Sequence, residues 1–316
     1  MARTHTTQPP TRGRDFLRLL EPFGTAVSVA AQPGALTLGV LAGGLCGALA
    51  GLAAGLVFVR SPVGAAVALV SVVAILVVWS VAAGGVALAA WRQAEEQAGR
   101  IGPSLREALR RAPALVAVVL PLFALIAALA VVQVGVFVLT RAPDGVIAPD
   151  RPVALIAVVF TLLFLIDALA LAALSVGFWI LVPYVIVDGE GAARAYSSAR
   201  DAFWRAPGFA IAAMATVLAL ASAGTTALFG LLAAALVLAA STQLIGANEL
   251  VLLRFSEPLV QGSFLIPVGD FVAVVVMATG LGAALGAAIG FGHTFGVAGG
   301  AGLRRALAPD RSGGMI

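Results

Sequence analysis

Asp167 lies deep inside a long apolar run, where its carboxyl group needs an explanation. It follows Val153, where the apolar run begins, by 14 residues. At ~1.5 Å per residue it lies ~21 Å from that end of the helix, the predicted outer end, and so near mid-membrane. A carboxylate there costs roughly 2.5 to 3.5 kcal/mol, so it must be protonated, face protein or line a wet cavity. One interpretation is an ion or proton site. We favour a neutral carboxyl group, because a transport path usually shows more than one such group; its candidate hydrogen-bond partners are Ser71, Ser80, Thr216 and Ser222.

The histidines and the cysteine offer little further chemistry. The chain has 2 His and 1 Cys. We expect His293 to be an ordinary helix-end histidine near the inner interface, and His5 lies in the amino-terminal tail, so no second histidine is placed to complete a metal site in the membrane. Cys46 is predicted to be a small buried hydrophobic residue. No Ser-His-Asp order, H-E-x-x-H motif, P-loop or carboxylate pair at useful spacing occurs. We therefore predict no catalytic residue, cofactor or metal, and a protein that is not an enzyme.

The composition places this chain in a membrane. Hydrophobic residues make up 61% of it and charged residues 11%, with a mean hydropathy of +1.07, values outside the range of soluble globular domains. All 19 basic residues are arginine, and the net charge is +4. The arginines flank apolar runs and form no stacking platform with aromatic residues, so we predict contact with the lipid bilayer and not with nucleic acid.

The apolar runs predict an all-α bundle of six transmembrane helices, since ~20 residues cross ~30 Å of hydrocarbon. Residues 1–13 form a disordered cytoplasmic tail, 14–303 a single membrane domain and 304–316 a second cytoplasmic tail. Residues 233–268 stay ambiguous between a crossing, a re-entrant pair and a surface helix. The predicted spans are about 35–59, 63–91, 114–139, 153–183, 208–232 and 271–300.

The distribution of arginines sets the predicted orientation. With six spans and both ends in the cytoplasm, only four arginines face outward, namely Arg60, Arg141, Arg151 and Arg254. Seven spans would put the basic carboxyl-terminal tail outside, which the positive-inside bias disfavours. We therefore expect a multi-pass protein of a bacterial cytoplasmic (inner) membrane.

Glycines recur at every fourth position in the first and last predicted spans. Such a stripe lets another helix backbone approach closely, which favours helix association in lipid. We predict that these stripes are packing faces, against a second copy of the chain or another membrane protein. The residues are Gly39, Gly43, Gly47, Gly51 and Gly55 in the first span and Gly282, Gly286 and Gly290 in the last.

Residues 183–207 form a polar elbow between two apolar runs. At about 100° per residue, Ala195, Tyr196 and Ala199 share one face of a short helix, and Pro207 opens the next helix. A second surface helix is predicted to begin after Ser104, because the S-L-R-E sequence at 104–107 indicates a capping box with Ser104 as N-cap and Glu107 at N3. The arginines of both helices are predicted to bind anionic lipid, each worth about 1 kcal/mol; they are Arg106, Arg110, Arg111, Arg194, Arg200 and Arg205.

The two surface helices also carry a repeat. R-E-A-L-R-R-A-P at 106–113 and R-D-A-F-W-R-A-P at 200–207 match at five of eight positions, and Arg14-Asp15 marks a weaker first copy. Each copy precedes a pair of apolar runs. The pattern indicates three units of surface helix plus transmembrane hairpin, inserted in the same sense, although chance similarity in an Arg/Ala-rich chain stays open.

The elbow also resembles a known family. The order L-V-P-Y-V-I-V, an acidic glycine-rich turn, A-x-x-A-Y-x-x-A and F-W-R resembles bacterial proteins grouped as the membrane domain of membrane-anchored glycerophosphodiester phosphodiesterases, with YciC-like relatives. The resemblance is specific across about residues 180–209. It implies a fold more than an activity, because the phosphodiesterase chemistry of that family belongs to a separate soluble domain, for which we expect no room here.

Three functions follow as hypotheses. The first is a non-catalytic structural, assembly or accessory subunit that packs through its glycine-rich spans. The second is a transporter or channel with Asp167 at its midpoint. The third, based on the resemblance alone, is a membrane module for a separately encoded lipid-handling enzyme.

Overall fold

A computed structural model describes residues 20, 22–29, 31–58, 63–95, 100–140, 153–246 and 268–307. Throughout this part of the chain the regular elements are helices, as the apolar runs predict. A short α1 covers residues 22–29. The others are α2 (Pro33–Phe58), α3 (Gly64–Ala94), α4 (Ile101–Arg110), α5 (Ala112–Thr140), α6 (Val153–Ile186), α7 (Ala192–Arg205), α8 (Pro207–Gly246) and α9 (Val268–Ala306).

Four of these helices contain segments long and apolar enough to cross a bilayer: Pro33–Leu56, Gly64–Ala94, Pro207–Ala234 and Val275–Ala306. A fifth is added if α4 and α5, which meet at a bend of 72°, form one span. The protein is therefore a multi-pass helical membrane protein, and the six-span count stays a prediction. α8 has 40 residues, or ~60 Å at 1.5 Å per residue, so it extends beyond a ~30 Å hydrocarbon core.

Several predicted features fall wholly or partly outside the described residues. Of the ambiguous segment 233–268, residues 233–246 continue α8 and residue 268 begins α9, whereas 247–267 lie outside the described part. Both predicted tails do so for most of their length, as does Arg14-Asp15, the marker of the first repeat copy.

The polar elbow begins and ends where its sequence predicts. α6 ends at Ile186, and Gly189 has a φ of 70°, a left-handed conformation that glycine adopts without strain. α8 then begins at Pro207. Between them α7 buries Ala195, Ala199 and Ala202, so the predicted apolar face is the one that packs on the protein.

The predicted capping box in α4 is wrong. α4 begins at Ile101, with Arg100 as N-cap, and Ser104 lies inside the helix, where its hydroxyl group donates to the Arg100 carbonyl oxygen. Pro103 stands in the first turn, where a missing N–H breaks no helical hydrogen bond. The helix can therefore start before Ser104.

α2 and α9 make the most extensive helix contact in the described structure. A methyl group at Gly43 would overlap the carbonyl oxygen of Gly286, and one at Gly47 would overlap that of Gly282. A methyl group at Gly290 would overlap the carbonyl oxygen of Gly39, and Gly51 and Gly55 face α9 residues one and two turns farther along. The two predicted glycine stripes thus lie against each other within one chain.

The carboxyl-terminal ends of α3, α6 and α9 lie together. These three helices contact one another. At their ends, Arg304 on α9 donates to both carboxylate oxygens of Asp188, just after α6, at 3.0 and 3.1 Å, and Arg305 donates to the Ala94 carbonyl oxygen at the end of α3.

Each short helix packs near this same end of the bundle. α4 packs on α3, and α7 packs on α6. On α9, a methyl group at Gly302 would stand 2.8 Å from the Cα of Pro22 in α1. The three surface helices are thereby held at the arginine-bearing end of the long helices.

Candidate functional site

His293 lies well inside α9, because that helix continues to Ala306. It precedes Arg304 by 11 residues, or ~16 Å along the helix axis. Arg304 and Asp188 mark the polar end of the bundle, so His293 is close to the middle of a ~30 Å hydrocarbon core. The prediction of a helix-end histidine near the interface is wrong for this reason. An ionisable residue at this depth is a candidate functional residue.

Aromatic rings from α3 and α6 surround the imidazole. The ring centroids of Trp79, Phe178 and Trp179 lie 4.3, 5.2 and 6.3 Å from that of His293. The indole N–H of Trp179 donates to His293 Nδ1 at 2.9 Å. Since Nδ1 accepts, the neutral ring carries its proton on Nε2.

His293 Nε2 is buried and has no hydrogen-bond partner among the described residues. An unpaired buried N–H costs about 1 to 3 kcal/mol, so native structures rarely retain one without a reason such as a bound molecule. The imidazole therefore has an unused donor at mid-membrane.

Glycines on α9 make room for Trp179. A methyl group at Gly296 would overlap the indole ring, and one at Gly300 would overlap the Trp179 carbonyl oxygen. These two positions let α6 approach α9 closely enough for the hydrogen bond to His293. Gly296 and Gly300 thus serve a second helix contact, distinct from the one with α2, whereas Gly292 faces Thr225 and Ala221 on α8.

A cavity of about 410 Å³ adjoins His293, with walls from α3, α5, α6, α8 and α9. Trp79, Phe178 and Trp179 supply aromatic surface, and Ser222 and Thr226 supply exposed hydroxyl groups on α8. The described residues that line it include none with a formal charge. Ligand pockets typically measure roughly 300 to 1,000 Å³ and combine apolar walls with a few polar groups, so this cavity is the candidate functional site.

Asp167 belongs to α6, and its side chain lies outside the described part of the structure. It precedes Ile186 by 19 residues of continuous helix, or ~28 Å. For an untilted helix that distance puts its backbone near the edge of the core opposite the arginines, which is farther out than predicted. A transport site at Asp167 stays a prediction, and this depth does not favour it.

The six arginines predicted to bind lipid differ in their surroundings. Arg111 is half-buried, and it donates to the Val185 carbonyl oxygen at 3.1 Å and to Glu107 at 3.1 Å. It therefore joins α4 to the end of α6 and is poorly placed for lipid. The other five side chains are exposed, although Arg110 and Arg200 lie near carboxylates of Glu107 and Asp201.

The elbow is fixed to the bundle by side-chain hydrogen bonds. The Tyr196 hydroxyl group donates to the Val118 carbonyl oxygen at 2.8 Å, and the Ser198 hydroxyl group donates to Glu190 at 2.9 Å. Burial raises the pKa of Tyr196, so its hydroxyl group keeps the proton that this bond requires. α7 is thus attached to α5 as well as to its own loop.

Arg304→Gln is expected to destabilise the protein by about 2 kcal/mol, a typical loss for hydrogen bonds to a charged group. The Arg304 and Asp188 side chains are only 18% and 23% exposed, so solvent screens the pair less than a surface pair. Arg304 also stands over the Tyr184 ring, 4.8 Å from its centroid. The measurement is the apparent melting temperature in detergent, with Arg194→Gln, an exposed arginine, as control. Equal melting temperatures for the two variants would contradict the prediction.

These features define a class, a multi-pass helical membrane protein with a mid-membrane cavity. Comparison with known proteins adds no narrower assignment: no protein-family model, curated protein or solved structure matches the chain. The resemblance of residues 180–209 to a phosphodiesterase membrane domain therefore stays a prediction.

Proposed function

We propose that this protein is a non-catalytic, multi-pass protein of a bacterial cytoplasmic membrane that binds a small uncharged ligand beside His293. The observation that carries the proposal is the cavity of about 410 Å³ beside His293. It combines aromatic walls, exposed hydroxyl groups and an imidazole whose buried Nε2–H has no partner in the described part of the chain. The lining favours an uncharged ligand, because a charged group buried there would lack a counter-charge.

The glycine stripes support this binding function more than an assembly function. Gly43, Gly47, Gly282 and Gly286 meet across the α2–α9 contact, so their backbones are covered within the chain. A second copy or a partner protein would have to use another face. We therefore propose that the glycine stripes hold α9, and with it His293, in a fixed position.

The proposed architecture is three units of surface helix plus hairpin, giving six crossings with both termini in the cytoplasm. The triplets are α1–α3, α4–α6 and α7–α9. Support comes from their cyclic contacts, in which α4 packs on α3, α7 on α6, and α1 on α9. Trp79, Trp179 and His293 come from the last helix of each triplet, so the cavity lies where the three units meet.

The exposed arginines of α4 and α7 complete the proposal. Arg106, Arg194 and Arg205 are exposed on the two surface helices, at the end of the bundle where the positive-inside bias places the cytoplasm. There each can attract anionic headgroups, by about 1 kcal/mol. These contacts would set the depth of the bundle and keep His293 near mid-membrane.

The test uses a short-chain monoacylglycerol, an uncharged molecule with carbonyl and hydroxyl groups, and protein in phospholipid nanodiscs. The chain has 4 Trp, so Trp91→Phe and Trp204→Phe leave Trp79 and Trp179 as fluorescent reporters at the cavity. We expect a saturable change in their emission. Thr226→Phe, which fills the cavity from α8, is expected to weaken binding at least tenfold.

Ala215→Phe is the matched control, since Ala215 is exposed on α8 and is not among the residues that line the cavity. It is expected to leave binding unchanged. The proposal fails if the emission change is not saturable, or if Thr226→Phe and Ala215→Phe bind the monoacylglycerol equally well.

A further inference from the structure

A second cavity, of about 510 Å³, runs along the α2–α9 contact and is bordered also by α3 and α5. Its walls are mainly apolar, with small residues such as Gly47, Ala50 and Ala54 on α2 and the larger Leu285 on α9. We refer to it as the α2 groove. Cys46 also borders it, and its thiol group donates to the Ile75 carbonyl oxygen. Of the described residues that line the α2 groove, only Trp79, at one end of it, carries a further side-chain N–H.

The α2 groove is continuous with the His293 cavity. Trp79, Phe123 and Ile289 line both. From Ile289 the groove follows α9 to Gly282, away from Arg304 and toward the opposite side of the membrane. A single ligand can therefore occupy both spaces, with one end beside His293 and the other along the groove.

The chemistry of the two spaces differs in a way that defines such a ligand. A water molecule needs two to four polar partners, which the α2 groove does not provide, whereas hydrocarbon fills apolar space without that requirement. The His293 cavity has hydroxyl groups on Ser222 and Thr226 and the Nε2–H of His293. Its end of the ligand should carry oxygen atoms that hydrogen-bond but no charge.

We propose that the ligand is an uncharged lipid with one hydrocarbon chain in the α2 groove and an oxygen-bearing headgroup in the His293 cavity. This inference rests on the proposed function, and it adds the class of ligand. The lipid enters laterally from the bilayer, since neither cavity is closed. The hydrocarbon chain is as soluble in the bilayer as in the α2 groove. The hydrogen bonds of the headgroup and the shape of the two cavities therefore select the lipid.

The test compares a long-chain with a short-chain monoacylglycerol in the same nanodiscs, read by Trp79 and Trp179 emission. Ala50 is exposed in the α2 groove, so Ala50→Phe fills the groove without entering the His293 cavity. We expect this variant to weaken binding of the long-chain ligand at least tenfold and to leave binding of the short-chain ligand unchanged. Ala215→Phe, outside both cavities, should affect neither ligand.

Two outcomes separate this inference from the proposed function. If Ala50→Phe binds the long-chain ligand as well as the parent protein does, the α2 groove holds no chain and the inference is overturned, while binding at His293 stands. If neither ligand binds saturably, the proposed function itself fails. A long-chain lysophosphatidic acid is the test of headgroup charge: we expect it not to compete, and equal competition would overturn the uncharged headgroup.

Discussion

Gly43→Ala is expected to force α2 away from α9 and to destabilise the protein by roughly 3 kcal/mol or more, at the upper end of the cost of overpacking a core. The added methyl group would overlap the carbonyl oxygen of Gly286, and it would also stand 2.7 Å from the Cα of Gly290. Both are backbone atoms, which no change of rotamer can move. The whole helix must shift, so neighbouring glycine contacts along the stripe are lost with it.

Gly44→Ala is the matched control, because it lies one residue along the same helix. A methyl group there would meet only ordinary contacts, at 3.6 and 3.7 Å, and alanine favours a helix by about 1 kcal/mol over glycine. We expect Gly44→Ala to be neutral or stabilising. The measurement is the fraction of monodisperse protein left after heating in mild detergent. Equal losses for the two variants would show that the α2–α9 backbones do not approach as closely as described.

The same pair of variants bears on the original hypothesis of assembly through the glycine stripes. If the stripes join separate chains, Gly43→Ala should change the oligomeric state while each chain keeps its melting temperature. If they join α2 to α9 within a chain, the melting temperature falls whether or not the protein forms oligomers. We expect the second result.

Local properties of this chain were predictable because they depend on neighbours in sequence. Apolar runs gave helix positions to within a few residues for α2 and α3, although α8 continues to Gly246, well past the predicted end of its span. The spacing of Ala195 and Ala199 identified the buried face of α7. The glycine stripes indicated close helix packing. All three follow from spacing along one helix.

The site could not be predicted in the same way, because it depends on which helices meet. Trp79, Trp179 and His293 are far apart in sequence, and the regular pattern of each helix gives no sign that they converge. The predicted last span ends near residue 300, which puts His293 close to the interface, whereas α9 continues to Ala306. Trp179 inside an apolar run was a usable signal, since a buried indole N–H needs a partner.

Gly296→Ala is expected to displace Trp179 and to disrupt the His293 site. The methyl group would overlap several atoms of the indole ring, and Trp179 is only 5% exposed, so the ring has little free space to enter. Rotating it away breaks the 2.9 Å hydrogen bond to His293 Nδ1 and leaves a second buried ring nitrogen unpaired. We expect the free energy of unfolding to fall by about 3 kcal/mol. We also expect a red-shifted Trp179 emission and no saturable binding of the short-chain monoacylglycerol.

Two further variants make this prediction specific to the contact with Trp179. Gly280→Ala lies on the same helix, and no atom of the described residues stands within 4 Å of the added methyl group, so it should keep both stability and binding. Trp179→Leu removes the ring with which the Gly296→Ala methyl group would overlap. The double variant should therefore lose less stability than the sum of the losses in the two single variants. Simple additivity would mean that Gly296 and Trp179 do not touch, and the account of how α9 and α6 position His293 would then be wrong.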